Sequence, residues 1–364
     1  MTETEACMVL NMLPHMGPVR FARLREYFGS AVAVLKASGS DLRHVEGVGP
    51  EVAGSIRSWE ELVDLSAEVA CVTSLGARVL IATDSEYPTL LREIYDPPIV
   101  LYIKGALEER DQCHGLGIVG TRAASHYAME STKKLGYQLA YAGLTIYSGL
   151  ARGIDTIAHQ SALAANGRTV AVLGSGLGQL YPPENEPLAE KIAASGAVIS
   201  EYSMKTPPSK QTFPKRNRII SGCSFGLLVV EAGVRSGALI SAHQAGEQGR
   251  SLYAVPGRID QPTAIGSNRL IQQGAKLVME AADILNDLPM MFAQEPMLHQ
   301  SQPEIQLQGD DLVIYQSIGD DPTPVDSIIK KSCLPAATVS SRLLALELNG
   351  HVRSFPGSCF VKLI

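Results

Sequence analysis

Between residues 115 and 257 the chain repeats one pattern: a short apolar run, usually ending in glycine, then a longer amphipathic stretch. The runs are GLGIVG (115–120), LTIYSG (144–149), TVAVLG (169–174), AVIS (197–200), FGLLVVEAG (225–233) and SLYAVPG (251–257). HYAMESTKKLGYQLAYAG (126–143) is typical of what lies between them. Continuous apolar strands that alternate with helices belong to a parallel sheet covered on both faces. The centre, 115–290, is therefore expected to be an extended Rossmann-like, doubly wound α/β domain. Ligands of such sheets sit beyond the carboxyl ends of the strands. Those ends are where this chain concentrates glycine and polar residues. Aromatics make up only 5% of the chain, which favours close-packed α/β layers over a β-sandwich.

A length of 364 residues predicts more than one domain. Residues 1–65 read as a helical module, with LRHVEGVGPEVAGSI (42–56) resembling a helix-hairpin-helix or SAM-like element. Gly47 and Gly49 permit its tight turn and Pro50 opens the next helix. NMLPHMGPVRFARLREYFGS (11–30) reads as a weaker copy. Few cations accompany the second hairpin, 42–56, so packing and phosphate contact both remain open as its roles. Residues 66–110 lead into the core with two strand-like runs, and together 66–290 form the expected central domain. Residues 291–308 read as a polar linker, and 309–364 as a winged helix: helices at 325–334 and 337–350, then a hairpin at 351–363. Val339–Leu348 is the expected recognition helix, although Arg342 is its sole cation.

The six cysteines form no CxxC and no zinc-like spacing with histidine, so neither a metal nor another cofactor is expected. Scattered cysteines, no basic-apolar leader and no long apolar run point to a cytoplasmic protein without a membrane segment. A net charge of −6 excludes a general nucleic-acid coat but leaves room for one local basic groove.

The candidate chemistry lies at the strand ends. In IVGTRAAS, Gly120 turns the chain, Thr121 and Arg122 follow, and a helix starts near Ser125. Free N–H groups at such a start favour an anion, and Arg122 offers a planar fork for phosphate. In SGLARGIDTIAH, Gly149 and Gly153 allow close approach of backbone, and Arg152 can point at the same anion. Asp155 orients that anion or caps the helix, and His159, one turn further, reads as a buried structural residue. GSGLGQ (174–179) resembles a nucleotide loop, a weak signal alone. In FPKRNRIISG (213–222), Lys215, Arg216 and Arg218 read as phosphate contacts on a loop leading into a helix. Asn217 reads a base edge or holds that loop, and Phe213 is a stacking platform or a core residue. Glu231 ends a buried strand, where it needs a partner; Arg235 is the expected one. Ser236 and Gly237 start the next helix at the same edge, and Arg258, Asn268 and Arg269 follow.

GTRAAS, SGLARGIDTIAH, FPKRNRIISG, VVEAGVRSGALISA and VPG…GSNRLIQQGA, in this order, resemble the DNA-processing protein A (DprA/Smf) family. The usual Gly-Ser-Arg of its first motif is Gly120-Thr121-Arg122 here, which keeps the hydroxyl and the arginine. The resemblance implies an extended Rossmann fold that dimerises, binds single-stranded DNA during natural transformation and helps load the RecA recombinase. It implies no enzymatic activity and no catalytic residue. It places Arg122, Lys215, Arg216 and Arg218 in the DNA pocket, with Gly149–Gly153 and Ser236-Gly237 around them.

Two other classes compete. Related α/β enzymes cleave the N-glycosidic bond of nucleoside monophosphates with a Gly-rich loop, an Arg and a Glu, a pair that Glu231 and Arg235 imitate. Their usual PGGxGT-type loop is EAGVRSG here. A transcriptional regulator rests on the winged helix alone.

Overall fold

The computed structural model describes residues 1–288, 307, 309–319, 323–348, 351–355 and 359–362, in two compact units, Met1–Glu295 and Pro296–Ile364. Apart from 307, the expected linker 291–308 lies outside the described residues.

The first unit is built on a nine-stranded sheet. Its strands are β1 (Arg78–Leu80), β2 (Leu101–Gly105), β3 (Gly115–Val119), β4 (Thr145–Ser148), β5 (Thr169–Val172), β6 (Ala197–Ser200), β7 (Gly226–Val229), β8 (Ser251–Ala254) and β9 (Lys276–Leu277). They lie in the order β1-β2-β6-β5-β4-β3-β7-β8-β9. From β6 to β9 every pairing is parallel; β1 and β2 add an antiparallel edge. The expected doubly wound sheet is present, and all six apolar runs of the central pattern are strands in it.

Strands β3 to β7 are buried along their whole length, which explains their unbroken apolar sequences. Alternate side chains feed two layers. Leu116, Ile118, Ile146 and Leu228 pack under one face, with α4 (His126–Tyr141) and α5 (Ile154–Ala164). Val119, Tyr147, Leu227 and Val229 pack under the other, with α6 (Thr212–Gly222) and α7 (Gly237–Glu247). Because β4 lies on one side of β3 and β7 on the other, the chain reverses its winding between β3 and β7. A crevice opens at such a switch point.

Three N-terminal helices matter for the site: α1 (Glu3–Met12), α2 (Pro18–Phe28) and α3 (Pro50–Arg57). Glycine N-caps followed by proline start α2 and α3, and Gly47 takes a positive φ of 84°. The turn before α3 is tied down by Arg20, whose Nε donates to Gly47 O at 2.6 Å. These helices share one apolar core with Tyr102, Ala171, Leu173 and Val198 of the sheet region.

The second unit contains α8 (Asp310–Ser317), α9 (Val325–Ser332), α10 (Ala336–Leu348) and a three-stranded sheet. Its strands are β10 (Thr323–Pro324), β11 (Val352–Phe355) and β12 (Cys359–Lys362), in the order β10-β12-β11. Ile314, Ile328, Val339, Leu343, Leu346 and Val352 form its core. This is a winged helix. Helix α8 and strand β10 have no counterpart in the sequence reading, because each is short and weakly patterned. Arg342, the lone cation of the expected recognition helix, is 3.6 Å from Asp311.

Candidate functional site

The crevice between the ends of β3 and β7 is a cavity of 670 Å³. Four cations line it, Arg122, Lys210, Arg216 and Arg235, against one carboxylate, Asp155. In a molecule of net charge −6, this surplus is a local inversion of sign.

Arg216 is the most constrained member. It is 4% exposed, and its Nη1 donates to Gly149 O at 2.7 Å and also to Val172 O. Its Nε donates to Asn217 Oδ1 at 3.1 Å. Burial, partly offset by Asp155, pushes its pKa down to about 10, so it keeps its charge at neutral pH. The guanidinium is seated because position 149 is glycine: a Cβ there would collide with it. Gly153 is required for a second reason, with a φ of 77° and no room for a Cβ beside Thr121 O. Asp155 Oδ2 accepts from Gly149 N at 3.1 Å, and burial raises its pKa against the pull of Arg216.

Arg122 is exposed, with its Cζ 5.2 Å from the centroid of the Phe213 ring. Phe213 in turn lies 5.8 Å from Tyr181. One planar cation and one aromatic ring thus stand together at the cavity wall. Opposite them, α7 opens with Ser236 as its N-cap, its Oγ accepting from Ala238 N at 3.3 Å. Ser236 and Gly237 line the cavity there.

Several expectations change. At the helix start the Ser125 N–H, a candidate donor to a ligand anion, donates instead to Glu231 Oε2 at 2.8 Å. Glu231 is 3% exposed and also accepts from Thr263 Oγ1 at 2.6 Å and Gln261 Nε2 at 3.1 Å. Those groups, not Arg235, are the hydrogen-bond partners of its carboxylate. The protein thus supplies its own anion to α4, and Arg235 stays exposed at the cavity. The segment carrying Lys215, Arg216, Asn217 and Arg218 is helical, not a loop, because Pro214 falls in the first turn of α6, where no N–H is needed. Arg216 and Asn217 line the crevice, but Lys215 and Arg218 line a neighbouring cavity. Arg218 is also spent inside the protein: its Nε donates to Asp96 at 2.9 Å and its Nη2 to Glu201 at 2.6 Å. Arg152 pairs with Glu184 at 2.5 Å and does not line the crevice. In GSGLGQ, Gly176 N and Gly178 N donate to Thr206 O and Met204 O, so they are used within the fold.

Of the expected residues, Gly120, Thr121, Arg122, Phe213, Arg216, Asn217, Ser236 and Gly237 come together at the crevice. Ser125, Gly149 and Gly153 shape its loops from behind. The carboxylate partners of Arg218 and the donors to Glu231 lie 17 to 122 residues away in sequence, beyond any local pattern. His159 is fully buried, with Nδ1 2.7 Å from Thr169 Oγ1, and burial together with Arg216 pushes its pKa down to about 3.

A family profile described as DNA recombination-mediator protein A matches residues 78–289, and a DprA winged helix domain profile matches 299–358. Protein Smf of Synechocystis sp. is 35% identical, covering 94% of this chain and 94% of its own. The X-ray structure of DNA processing protein A from Streptococcus pneumoniae superposes with a TM-score of 0.69 at 35% identity, covering 79% of this chain and 98% of that one. DNA processing protein A from Helicobacter pylori, described in a structure of its single-stranded DNA binding mode, gives 0.52 at 29% identity, over 58% of this chain and 94% of that one. With its doubly wound core and winged helix, this chain belongs to the DNA recombination-mediator protein A (DprA/Smf) family.

Proposed function

We propose that this chain binds single-stranded DNA in the β3/β7 crevice without sequence preference, and as a homodimer presents it to the RecA recombinase during uptake of DNA. The observation that carries the reading is the charge of the crevice: four cations against one carboxylate around a 670 Å³ cavity, with Phe213 on its wall. Phosphates meet the cations and a base meets the ring, which gives affinity without a sequence code. A narrow crevice admits a single strand more readily than a duplex. The relationship to DNA processing protein A of Helicobacter pylori supports the same ligand.

The role is non-enzymatic. Glu231 is buried and holds loops together, and His159 is neutral and sealed in the core. Among the described residues, Asp155 is the one carboxylate lining the crevice, which gives the nucleotide-hydrolysis reading its foothold. Release of free base from a panel of nucleoside monophosphates would favour that reading. Self-association is supported by β9, an edge strand of the sheet with exposed Leu277 and Met279 beside it. Among the described residues no helix is long and apolar enough to cross a membrane, in keeping with a cytoplasmic role.

The test is fluorescence anisotropy with single-stranded and duplex oligonucleotides. Arg122→Ala should weaken single-strand binding roughly tenfold with little change in melting temperature, since the side chain is exposed. Unchanged affinity would remove Arg122 from the interface.

A further inference from the structure

Beside the crevice lies a second cavity of 440 Å³. We infer that it takes a nucleobase of the same single strand, and that the N-terminal helices form one wall of this subsite. The inference rests on the single-strand reading and adds a part of the chain to it.

Successive residues of a helix are about 100° apart, so Phe213 and Asn217 share one side of α6 while Lys215 and Arg218 share another. The first side faces the crevice and the second faces the new cavity. The two cavities therefore flank the opening turn of α6. Gln244 links them, with its Nε2 donating to Pro214 O at 3.2 Å. A strand leaving the crevice over Pro214 passes exposed Lys215 and enters the second cavity.

The chemistry of the two cavities divides the work. The crevice holds its surplus of cations, whereas the second cavity sets Lys215 and Arg218 against Asp96 and Glu201, with both of those acids bound to Arg218. Phosphate has little reason to enter beyond the Lys215 rim; a neutral ring has. Met12 of α1, Met16 of the connection that follows, Pro18 of α2 and Tyr202 of the core offer it apolar and aromatic surface. Gln244 Oε1 is buried with no hydrogen-bond partner. An unsatisfied buried acceptor calls for a donor, and the ring or exocyclic N–H of a base supplies one when the Gln244 amide turns toward the cavity. The juxtaposition of a basic rim, a methionine and tyrosine surface within an otherwise polar lining, and an orphan acceptor fits a nucleobase, a flat ring edged with polar groups, better than a bare anion or an aliphatic side chain.

The experiment uses the whole chain with oligothymidylates of about three and about eight nucleotides carrying photoreactive 4-thiothymidine, within the usual site sizes. Both lengths should crosslink to peptides bearing Arg122 or Phe213. The longer one alone should reach peptides bearing Met12–Met16 or Tyr202. Lys215→Ala should weaken the longer oligonucleotide about three- to tenfold and leave the shorter within about twofold. Crosslinks confined to the crevice at both lengths, or an equal effect of Lys215→Ala on both, would overturn the subsite and leave the crevice reading standing. Absence of single-strand binding at either length would overturn the crevice reading and the subsite with it. A slot that binds a protein segment instead would show crevice-only crosslinks together with full DNA affinity in the Lys215 variant.

Discussion

At the scale of the residue, burial separates cations that look alike in sequence. Arg216 and Arg218 stand two positions apart and are both buried, yet one faces the crevice and the other is consumed by Asp96 and Glu201. The cluster was legible as a candidate site because three cations crowd an apolar frame. Its division was not, because the acids that claim Arg218 come from distant segments. Glu231 teaches the same lesson: the need for a partner was readable, its identity was not. His159 offers a test of the packing behind the site. The unfolded chain protonates this histidine near its ordinary 6.5, the folded chain only near about 3. The folded state therefore gains stability above 6.5 that is lost as pH falls toward 3. Between about pH 7 and pH 5 this amounts to roughly 2 kcal/mol. His159→Gln should flatten that part of the pH dependence of the urea midpoint, whatever its effect on absolute stability. An unchanged slope would show that another group carries it.

At the scale of the element, glycine-terminated apolar runs placed the core strands, since a strand buried on both faces must be apolar throughout and the turn after it must be tight. Helix α6 was half legible: Pro214 marked an entry, but a proline in the first turn and one just before it leave the same trace. The loops at the β3 and β7 ends are joined through Glu231, which takes hydrogen bonds from Ser125, Gln261 and Thr263. Glu231→Ala strands those donors and should cost about 1–3 kcal/mol. It should also weaken single-strand binding, because Thr121 and Arg122 lie in the loop it anchors. A differential-scanning measurement showing wild-type stability would contradict this account of the loop.

At the scale of the molecule, periodicity distinguishes helix from strand but does not say which layers share a core. Hence the N-terminal helices read as a separate module, while the structure packs them with sheet residues in one apolar cluster. The dimer proposed above belongs to this scale. Met279 is 75% exposed and Leu277 38%, so Leu277→Glu with Met279→Glu should shift sedimentation toward the monomer without unfolding the chain. A wild-type protein that sediments as a monomer at all concentrations would rule the dimer out. If the crevice holds the phosphates of a single strand, binding must weaken with salt. Each neutralised phosphate of a single strand contributes about 0.7 to the slope of log affinity against log salt. With two or three phosphates engaged, the slope should be roughly −1.4 to −2.1, and Arg122→Ala should reduce its magnitude by about 0.7. A flat dependence, or tighter binding of duplex than of single strand, would contradict the account.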